Sequence, residues 1–182
     1  CVTTANELVN GVRLVQYSRS EDDRGFFLRH FSRDTMERDG LNPSVDQANL
    51  SYNRSRLTMR GFHYQADPHA EDKTISVLRG KILLAVVDVD PASSTYRAHS
   101  TIELTEFGAQ THVAKLKATA FLTLTDDVLV HYFMSAPYVA TAARGFRYDD
   151  PAFDVPWPTA PEVVSERDLA WPHWVEEAYE ER

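Results

Sequence analysis

The chain lacks most of the features from which a protein's compartment and chemistry are recognised. Its one cysteine is Cys1, which excludes a disulfide within one chain and a zinc site of the CxxC type. No apolar run approaches ~18 residues, and the N-terminus shows no charged-then-apolar signal pattern. We therefore expect a protein of the reducing cytoplasm with no membrane partner. Because the chain begins with Cys rather than Met, a processed or engineered start and a lipid-anchored cysteine are both left open.

Positive charge is also scarce. Asp and Glu number 27 against 19 Lys and Arg, a formal net charge of -8, and this acidity argues against a nucleic-acid partner unless basic groups cluster locally. A phosphorylated small molecule remains compatible, because a few well-placed arginines suffice to bind it. No nucleophile elbow, Gly-rich phosphate loop, zinc motif or calcium motif is present.

The composition is that of a globular protein, and the apolar residues are grouped in short segments. Hydrophobic residues make up 43% and charged residues 25% of the 182 residues, which suits one globular domain over 1–182. Turn signals recur about every ten residues, and the βαβ alternation of a dinucleotide fold is missing. The pattern predicts an all-β sandwich or jelly-roll barrel at about 12–147, with a few short helices. A Pro- and Trp-rich C-terminal tail, about 148–182, is expected to pack back on the barrel.

About ten strands and two short helices are predicted. Thr74–Arg79 and Ile82–Val89, joined at Gly80, look like a hairpin whose nearly all-apolar second arm is covered on both faces. The other predicted strands are Val12–Tyr17, Phe26–Phe31, Asp46–Tyr52, Thr58–Gln65, Ser100–Leu104, Gln110–Leu116, Ala120–Leu124 and Leu129–Met134. The predicted helices are Ser32–Gly40, which has capping residues at both ends, and Trp174–Glu181.

Polar side chains on the predicted strands are the first candidates for chemistry. Strand alternation places Arg60 and His63 on opposite faces, unless a bulge intervenes. In a barrel His63 would face inward, as a core histidine with one hydrogen bond or as a functional group. The same alternation points Tyr132 inward while His131 and Phe133 face away, although a buried tyrosine with one partner would show the same pattern.

Further polar residues allow either a ligand contact or an ordinary structural role. Gln47 and Asn49 share a strand face, where they meet a ligand or form an amide pair. Lys73 precedes a strong strand and either reaches a barrel mouth or caps the edge, while Arg24 is a rim charge or an anion contact. Five isolated histidines are predicted to lie on the surface: His30, His69, His99, His112 and His173. No His-x-His pair appears, so we expect no metal cluster.

In their order along the chain, these segments resemble the dTDP-4-dehydrorhamnose 3,5-epimerase family. The resemblance covers Asp23 to Pro172 and rests on the successive segments DDRGFF, QANLSYN, MRGFHYQ, EDKTISVLRGKILLAVVDVD, AFLTLTDD, ARGFRYDDP and SERDLAWP. Their joint order is much more specific than any one segment. The resemblance implies a cupin-like jelly roll, a homodimer, and a cofactor-independent epimerase. It would invert C3, C5 or both in a dTDP-4-keto-6-deoxy sugar during deoxysugar biosynthesis.

The resemblance also implies roles for individual residues. His63 resembles the general base, Asp168 the carboxylate that orients it, and Tyr132 the acid on the opposite face of the sugar. Lys73 is expected near the C4 oxygen and Arg60 near the diphosphate. The other expected substrate contacts are Arg24, Gln47, Asn49, Thr119, Arg167 and Tyr138, whose ring resembles the one that stacks on thymine. Removing a proton next to a ketone needs a base in reach and a cation or donor for the enolate, and inversion needs an acid across the ring.

Three positions depart from the family's pattern. Thr119 stands where the family has a second active-site histidine, Arg29 where it has an acidic residue, and Ala143 where it has Glu. Loss of the histidine makes inversion at a single carbon, or a different sugar, a sub-hypothesis. Two alternatives remain open: a member redirected to isomerise or cyclise another carbonyl substrate, and a non-catalytic cupin that binds a nucleotide sugar.

Overall fold

The computed structural model describes residues 9–174, which form thirteen strands and two short helices. The strands are β1 (Val12–Val15), β2 (Arg19–Asp22), β3 (Gly25–Leu28), β4 (Gln47–Asn53), β5 (Thr58–Gln65), β6 (Lys73–Arg79), β7 (Lys81–Asp88), β8 (His99–Thr105), β9 (Gln110–Val113), β10 (Lys117–Thr123), β11 (Val128–Met134), β12 (Ala143–Gly145) and β13 (Val163–Val164). The helices are α1 (Arg33–Arg38) and α2 (Glu166–Leu169). Over this range no helix has the length and apolar character needed to cross a membrane.

Two sheets form the body of the fold. The first has the strand order β1-β9-β6-β11-β4, and the second has the order β12-β5-β10-β7-β8 with β13 added beside β5. Neighbouring strands run antiparallel, except that β13 is parallel to β5. Strands β2 and β3 pair only with each other, as a separate hairpin. The two large sheets make a cupin-like jelly roll, the fold class that the sequence predicts.

The main core lies between the two sheets and is built from alternate residues of their strands. From β7 the inward side chains of Ile82, Leu84 and Val86 are fully buried. They belong to one cluster with Val77 of β6 and Val130 of β11, which come from the opposite sheet. Burial of this kind stabilises by roughly 1.5 to 3 kcal/mol per large aliphatic side chain. The walls of the barrel are therefore rigid supports for any side chain that points inward.

The C-terminal segment covers the outer face of the second sheet. Phe146 stacks on Phe62 with ring centroids 4.8 Å apart, and Phe153 and Trp174 pack against Phe146 at 4.6 and 5.6 Å. Trp157 packs on the same cluster. Because this segment lies over the second sheet, β7 is covered on both faces, as its nearly all-apolar sequence predicts.

The predicted hairpin between Thr74–Arg79 and Ile82–Val89 is wrong, although both strands exist. Strand β6 pairs with β9 and β11, whereas β7 pairs with β8 and β10 in the other sheet. The chain passes between the sheets at Gly80, where φ is +80° and an added Cβ would lie 2.6 Å from Thr125 Oγ1. Gly80 is thus a corner of the barrel, and a local turn signal does not distinguish a corner from a hairpin.

Most of the other predicted strands are present with shifted ends. Strand β5 has the predicted bounds, while β1 ends at Val15 and β3 at Leu28, both earlier than predicted. Strand β9 stops at Val113, and the chain turns at Leu116, where φ is +56°. Strands β2, β12 and β13 were not predicted, because two to four residues are too few to show an alternating pattern.

The predicted helix Ser32–Gly40 is present as α1. The Ser32 side chain accepts a hydrogen bond from Thr35 N at 3.4 Å and so caps the first turn. The other predicted helix, Trp174–Glu181, lies outside the described residues except for its first residue. Helix α2 was missed because it has only four residues, although Ser165 caps it in the same way.

Candidate active site

A cavity of about 510 Å³ lies between the two sheets. Ile75, Val130 and Tyr132 line it from the first sheet, and Leu84 and Thr119 line it from the second. Its volume is in the range of small-molecule sites, which combine apolar walls with a few convergent polar groups. The polar groups come from β5, β6, β10, β11, β12 and α2 and from the loops that hold Glu71 and Tyr138.

A bulge in β5 brings Arg60 and His63 to the same cavity. His63 lies opposite Thr119 and Arg60 opposite Phe121, so β5 has one residue more than its partner β10 over this stretch. The bulge includes Gly61, at φ +114°, where an added Cβ would lie 2.4 Å from the Thr119 carbonyl oxygen. Strict alternation places Arg60 and His63 on opposite faces; the bulge, which the prediction left open, reverses that outcome.

His63 is paired with a carboxylate that α2 delivers. Ser165 Oγ accepts a hydrogen bond from Asp168 N at 3.1 Å, and Asp168 Oδ1 lies 2.6 Å from His63 Nε2. Burial on its own raises the pKa of Asp168, but hydrogen bonds from His63, Gly61 and Ser165 outweigh it and hold that pKa below its ordinary value. The Asp168 side chain is 7% exposed and that of His63 is 44% exposed. The Asp168 carboxylate therefore occupies Nε2 of His63, and Nδ1 of the same ring is the nitrogen left for proton exchange with a ligand.

The ammonium of Lys73 lies beside the histidine. It donates to the His63 carbonyl oxygen at 3.1 Å and to Thr119 Oγ1 at 3.3 Å, and it lies 3.2 Å from Glu71 Oε1. These three contacts match the three N–H donors of an ammonium. Thr119, in the place where a histidine is expected, thus serves as a hydrogen-bond partner of Lys73.

Tyr132 faces the cavity from β11, as strand alternation predicts. Its neighbours His131 and Phe133 pack against each other, with ring centroids 4.5 Å apart, and neither lines the cavity. Burial raises the pKa of Tyr132, while the charge of Arg60 lowers it and that of Glu71 raises it. The phenol is therefore protonated at neutral pH and has a proton to donate.

Cationic and aromatic side chains make up another part of the lining. Arg60 Nε donates to Asn53 Oδ1 at 2.7 Å, and an Arg167 amino group donates to the Tyr138 hydroxyl at 3.3 Å. Tyr138 is 49% exposed, so it is accessible to a ligand. Arg144 is a further cation of the lining that the sequence did not indicate. Guanidinium groups of this kind suit phosphate oxygens, and an exposed ring suits a stacked base.

Three of the predicted contacts do not line the cavity. Arg24 lies in the β2–β3 turn, where its side chain is 90% exposed and paired with a neighbouring carboxylate. Gln47 Oε1 accepts a hydrogen bond from Tyr138 N at 2.9 Å, and Asn49 Nδ2 donates to Met134 Sδ at 3.3 Å. The two amides therefore support residues of the cavity wall, and a ligand contact for any of the three stays a prediction.

The lining also contains Glu71 and Trp171, which sequence reasoning missed. The Trp171 ring lies 6.5 Å from that of His63 and packs against Gly145, where an added Cβ would be 2.7 Å from it. Glu71 had a usable signal, because two residues on a strand face the same side and Lys73 follows at that spacing. Of the three departing positions, Thr119 and Ala143 line the cavity and Arg29 does not.

The prediction that the isolated histidines lie on the surface is wrong for His112. His112 is 3% exposed, with Nδ1 3.0 Å from Thr74 Oγ1 and Nε2 3.5 Å from Asp72 Oδ2. His30 is half-buried, and its Nε2 lies 2.9 Å from His131 Nδ1. Of the others, His69 and His173 are exposed and His99 is half-buried. Within residues 9–174 no group of three or more His, Cys, Asp or Glu side chains is arranged to hold a metal ion.

Comparisons with known proteins agree on one family. A sequence model of the dTDP-4-dehydrorhamnose 3,5-epimerase family matches residues 6–176. The dTDP-4-dehydrorhamnose 3,5-epimerase of Sinorhizobium fredii is 34% identical over 163 residues, which are 88% of this chain and 84% of that protein. The crystal structure of the Bacillus anthracis enzyme of the same name, with TDP and PPi bound, superposes with a TM-score of 0.89 at 30% identity and covers 96% of this chain and 100% of that one. A 4-keto-6-deoxy sugar epimerase from the novobiocin gene cluster of Streptomyces spheroides superposes with a TM-score of 0.85 at 25% identity, covering 95% and 87%.

Proposed function

The chain belongs to the dTDP-4-dehydrorhamnose 3,5-epimerase family, and on that premise we propose how its cavity works. The protein is an epimerase of a dTDP-4-keto-6-deoxy sugar that acts at C3, C5 or both. The observation that carries the proposal is the His63–Asp168 pair, 2.6 Å apart, in one cavity with Lys73 and Tyr132. These groups supply a base, a cation and an acid around a ligand, which is what enolisation and reprotonation require.

The proposed reaction moves two protons. His63 Nδ1 takes the proton from the carbon next to the ketone, the C–H bond's electron pair forms a C=C bond to the carbonyl carbon, and the carbonyl π pair moves to the oxygen, which carries the enolate charge. Lys73, held beside His63 by its carbonyl contact at 3.1 Å, stabilises that charge. Tyr132 then gives its proton to the same carbon from the other face, so the O–H bond breaks as the new C–H bond forms. The imidazolium and the phenolate return to their starting forms by exchange with water.

The substrate is held by the nucleotide end in this proposal. Arg60 and Arg167 contact the diphosphate, and Tyr138 stacks on thymine. The support is that all three side chains line the cavity and that the Arg167 guanidinium lies beside the Tyr138 hydroxyl. Gln47 and Asn49 support these contacts from behind the cavity wall, through their hydrogen bonds to Tyr138 and Met134. Thr119 takes part through Lys73, since its hydroxyl accepts one of the ammonium's hydrogen bonds.

Inversion at a single carbon is the narrower form of the proposal. A threonine hydroxyl does not become a cation, so the cavity has one imidazole to share between two positions of the sugar. Deuterium wash-in from D2O tests both forms, with dTDP-4-keto-6-deoxyglucose as the substrate. Exchange at one carbon supports single inversion, and exchange at two supports double inversion. Tight binding without exchange would instead support a non-catalytic binding protein, and no binding of any dTDP compound would support a redirected enzyme.

Homodimerisation and a cytoplasmic location belong to the proposal as well. The β2–β3 hairpin carries two exposed aromatic residues, Phe26 at 42% and Phe27 at 67% exposure, which supports a protein partner at this place. A second copy of the chain is the partner we expect. A dimer in sedimentation at micromolar concentration supports this, and a monomer under the same conditions contradicts it.

A further inference from the structure

Glu71 is a buried carboxylate of the cavity wall that the proposed reaction does not use. Its side chain is 2% exposed, and one oxygen, Oε1, lies 3.2 Å from Lys73 Nζ. The other oxygen, Oε2, is shielded from solvent and has no hydrogen-bond donor. An ionised carboxylate that is only half satisfied is costly in a protein interior, where most buried polar groups are paired.

The sheet places Glu71 near Tyr132 as well as Lys73. In the register of β6 with β11, Lys73 lies opposite Met134, and Ile75 lies opposite Tyr132. The two strands are held together just before β6 by the hydrogen bond from Ser135 N to the Asp72 carbonyl oxygen, at 3.0 Å. Because side chains two residues apart share a face, Glu71 and Lys73 project to the inner side from which Tyr132 also projects.

We propose that Glu71 is a positioning residue of the epimerase: it fixes the Lys73 ammonium beside His63, and its negative charge favours the protonated form of the Tyr132 phenol on the same inner face. The inference rests on the proposed function, since it assigns a role within the same reaction. Among the carboxylates of the lining, Asp168 is committed to His63, while Glu71 keeps one oxygen without a donor. Of these two carboxylates, Glu71 is therefore the one with fewer hydrogen-bond donors to compensate its charge.

The charge of Glu71 acts on Tyr132 against a largely cationic background. The charged or titratable side chains that share the cavity with Tyr132 are Arg60, His63, Lys73, Arg144, Arg167 and Asp168, together with three further tyrosines. Burial is the main reason that the pKa of Tyr132 lies above its ordinary value, Arg60 lowers it, and Glu71 raises it. Without Glu71, only burial opposes the effect of Arg60, so the pKa of Tyr132 is lower and the phenol ionises at a lower pH.

The test is the pH dependence of kcat and KM for wild type, Glu71→Gln and Glu103→Gln. Glu103 is a matched control, because it also pairs with a lysine, Lys81 at 2.8 Å, but does not line the cavity. In Glu71→Gln we expect kcat to begin to fall at an alkaline pH that is lower than in wild type by about half a pH unit or more. The reason is that a negative charge is lost near the half-buried phenol of Tyr132. At pH 7 we expect kcat to fall roughly tenfold because Lys73 loses its anchor, with KM changed less than about threefold. Glu103→Gln should follow the wild-type curve.

The outcomes separate this inference from the function it rests on. A wild-type protein without deuterium exchange would contradict the proposed function. An active wild type whose alkaline limb does not move in Glu71→Gln would overturn the role of Glu71 alone. If Glu71→Gln does not fold, Glu71→Asp takes its place: it keeps the charge but shortens the side chain, so kcat should fall while the alkaline limb stays where it is. An Asp variant with unchanged kcat would overturn the positioning role.

Discussion

Two buried carboxylates in the same barrel, Asp88 and Glu71, are each paired with a lysine. They differ greatly in how many hydrogen bonds their oxygens accept. Asp88 is fully buried and accepts four hydrogen bonds: from Ser93 Oγ at 2.5 Å, Thr95 Oγ1 at 2.6 Å, Lys117 Nζ at 2.9 Å and Asp90 N at 3.1 Å. Glu71 has one partner, a lysine that also contacts two other groups, and one oxygen with no donor. The first network has no vacant place for a ligand, whereas the second has unsatisfied bonding capacity.

The Asp88 network maintains the fold, whereas the network around Glu71 belongs to the cavity where the proposed chemistry takes place. Neither Asp88 nor Lys117 lines the cavity, although Thr119, two residues along β10 from Lys117, does. A complete network resists rearrangement, because any movement breaks several hydrogen bonds at once. An incomplete one can exchange a contact with a substrate at little cost. We expect substitutions in the first network to change stability and substitutions around the second to change catalysis.

The largest effect on the catalytic side should come from His63→Asn. The amide keeps a polar group of similar size but cannot take up a proton, so the rate of exchange at the substrate should fall by ~10²- to 10⁴-fold. The melting temperature should change little, because the His63 ring is 44% exposed. Exchange rates by mass spectrometry and thermal unfolding check the two halves. Unchanged exchange in a folded variant would show that His63 is not the base.

The largest effect on stability should come from Asp88→Ala. Removal of this carboxylate leaves Lys117, whose side chain is 4% exposed, as an uncompensated buried charge, and we expect a loss of ~3 to 5 kcal/mol in the free energy of unfolding. At a temperature where the variant is folded, its KM should match that of wild type. Urea unfolding and steady-state kinetics together provide the measurement. A variant of normal stability but altered KM would contradict the division between the two networks.

Tyr132→Phe should separate the two proton transfers. The base is intact in this variant, so deuterium should still enter the substrate, while formation of the inverted sugar falls by about 10²-fold, the low end of acid–base effects. NMR of the product sugar distinguishes exchange from inversion. Loss of both would mean that Tyr132 acts before the enolate forms, and the order of steps would need revision.

The sequence was informative where structure depends on neighbouring residues and uninformative where it depends on distant ones. The inward direction of Tyr132 follows from alternation within one strand, and the bounds of β5 follow from its composition. The burial of His112 depends on Asp72, which is 40 positions away in sequence and contributes no local signal. The turn at Gly80 has the same residues as a hairpin turn, and only the sheets on either side make it a corner.

The candidate site divides in the same way. Pairing of His63 with Asp168 came from the resemblance, because no local pattern joins β5 to a four-residue helix far along the chain. That Arg60 and His63 share the cavity depends on the bulge around Gly61, a position that strict alternation treats as an ordinary strand residue. Glu71 was recognisable only from its spacing to Lys73, and its missing hydrogen bond is visible only in three dimensions.

Asp168→Asn gives the smallest expected effect and tests whether a site carboxylate also contributes to stability. The pKa of Asp168 is held below its ordinary value, so its charge stabilises the folded state above the unfolded pKa of about 4, and this contribution is lost as pH falls through the folded pKa. At pH 7 we expect Asp168→Asn to be less stable than wild type by ~1 kcal/mol, the worth of one net hydrogen bond. The difference should shrink below about pH 4. Urea unfolding at pH 7, 5 and 3, roughly spanning that window, measures it. A difference that stays constant down to pH 3 would mean that the charge of Asp168 does not stabilise the fold, and that its hydrogen bonds serve only to orient His63.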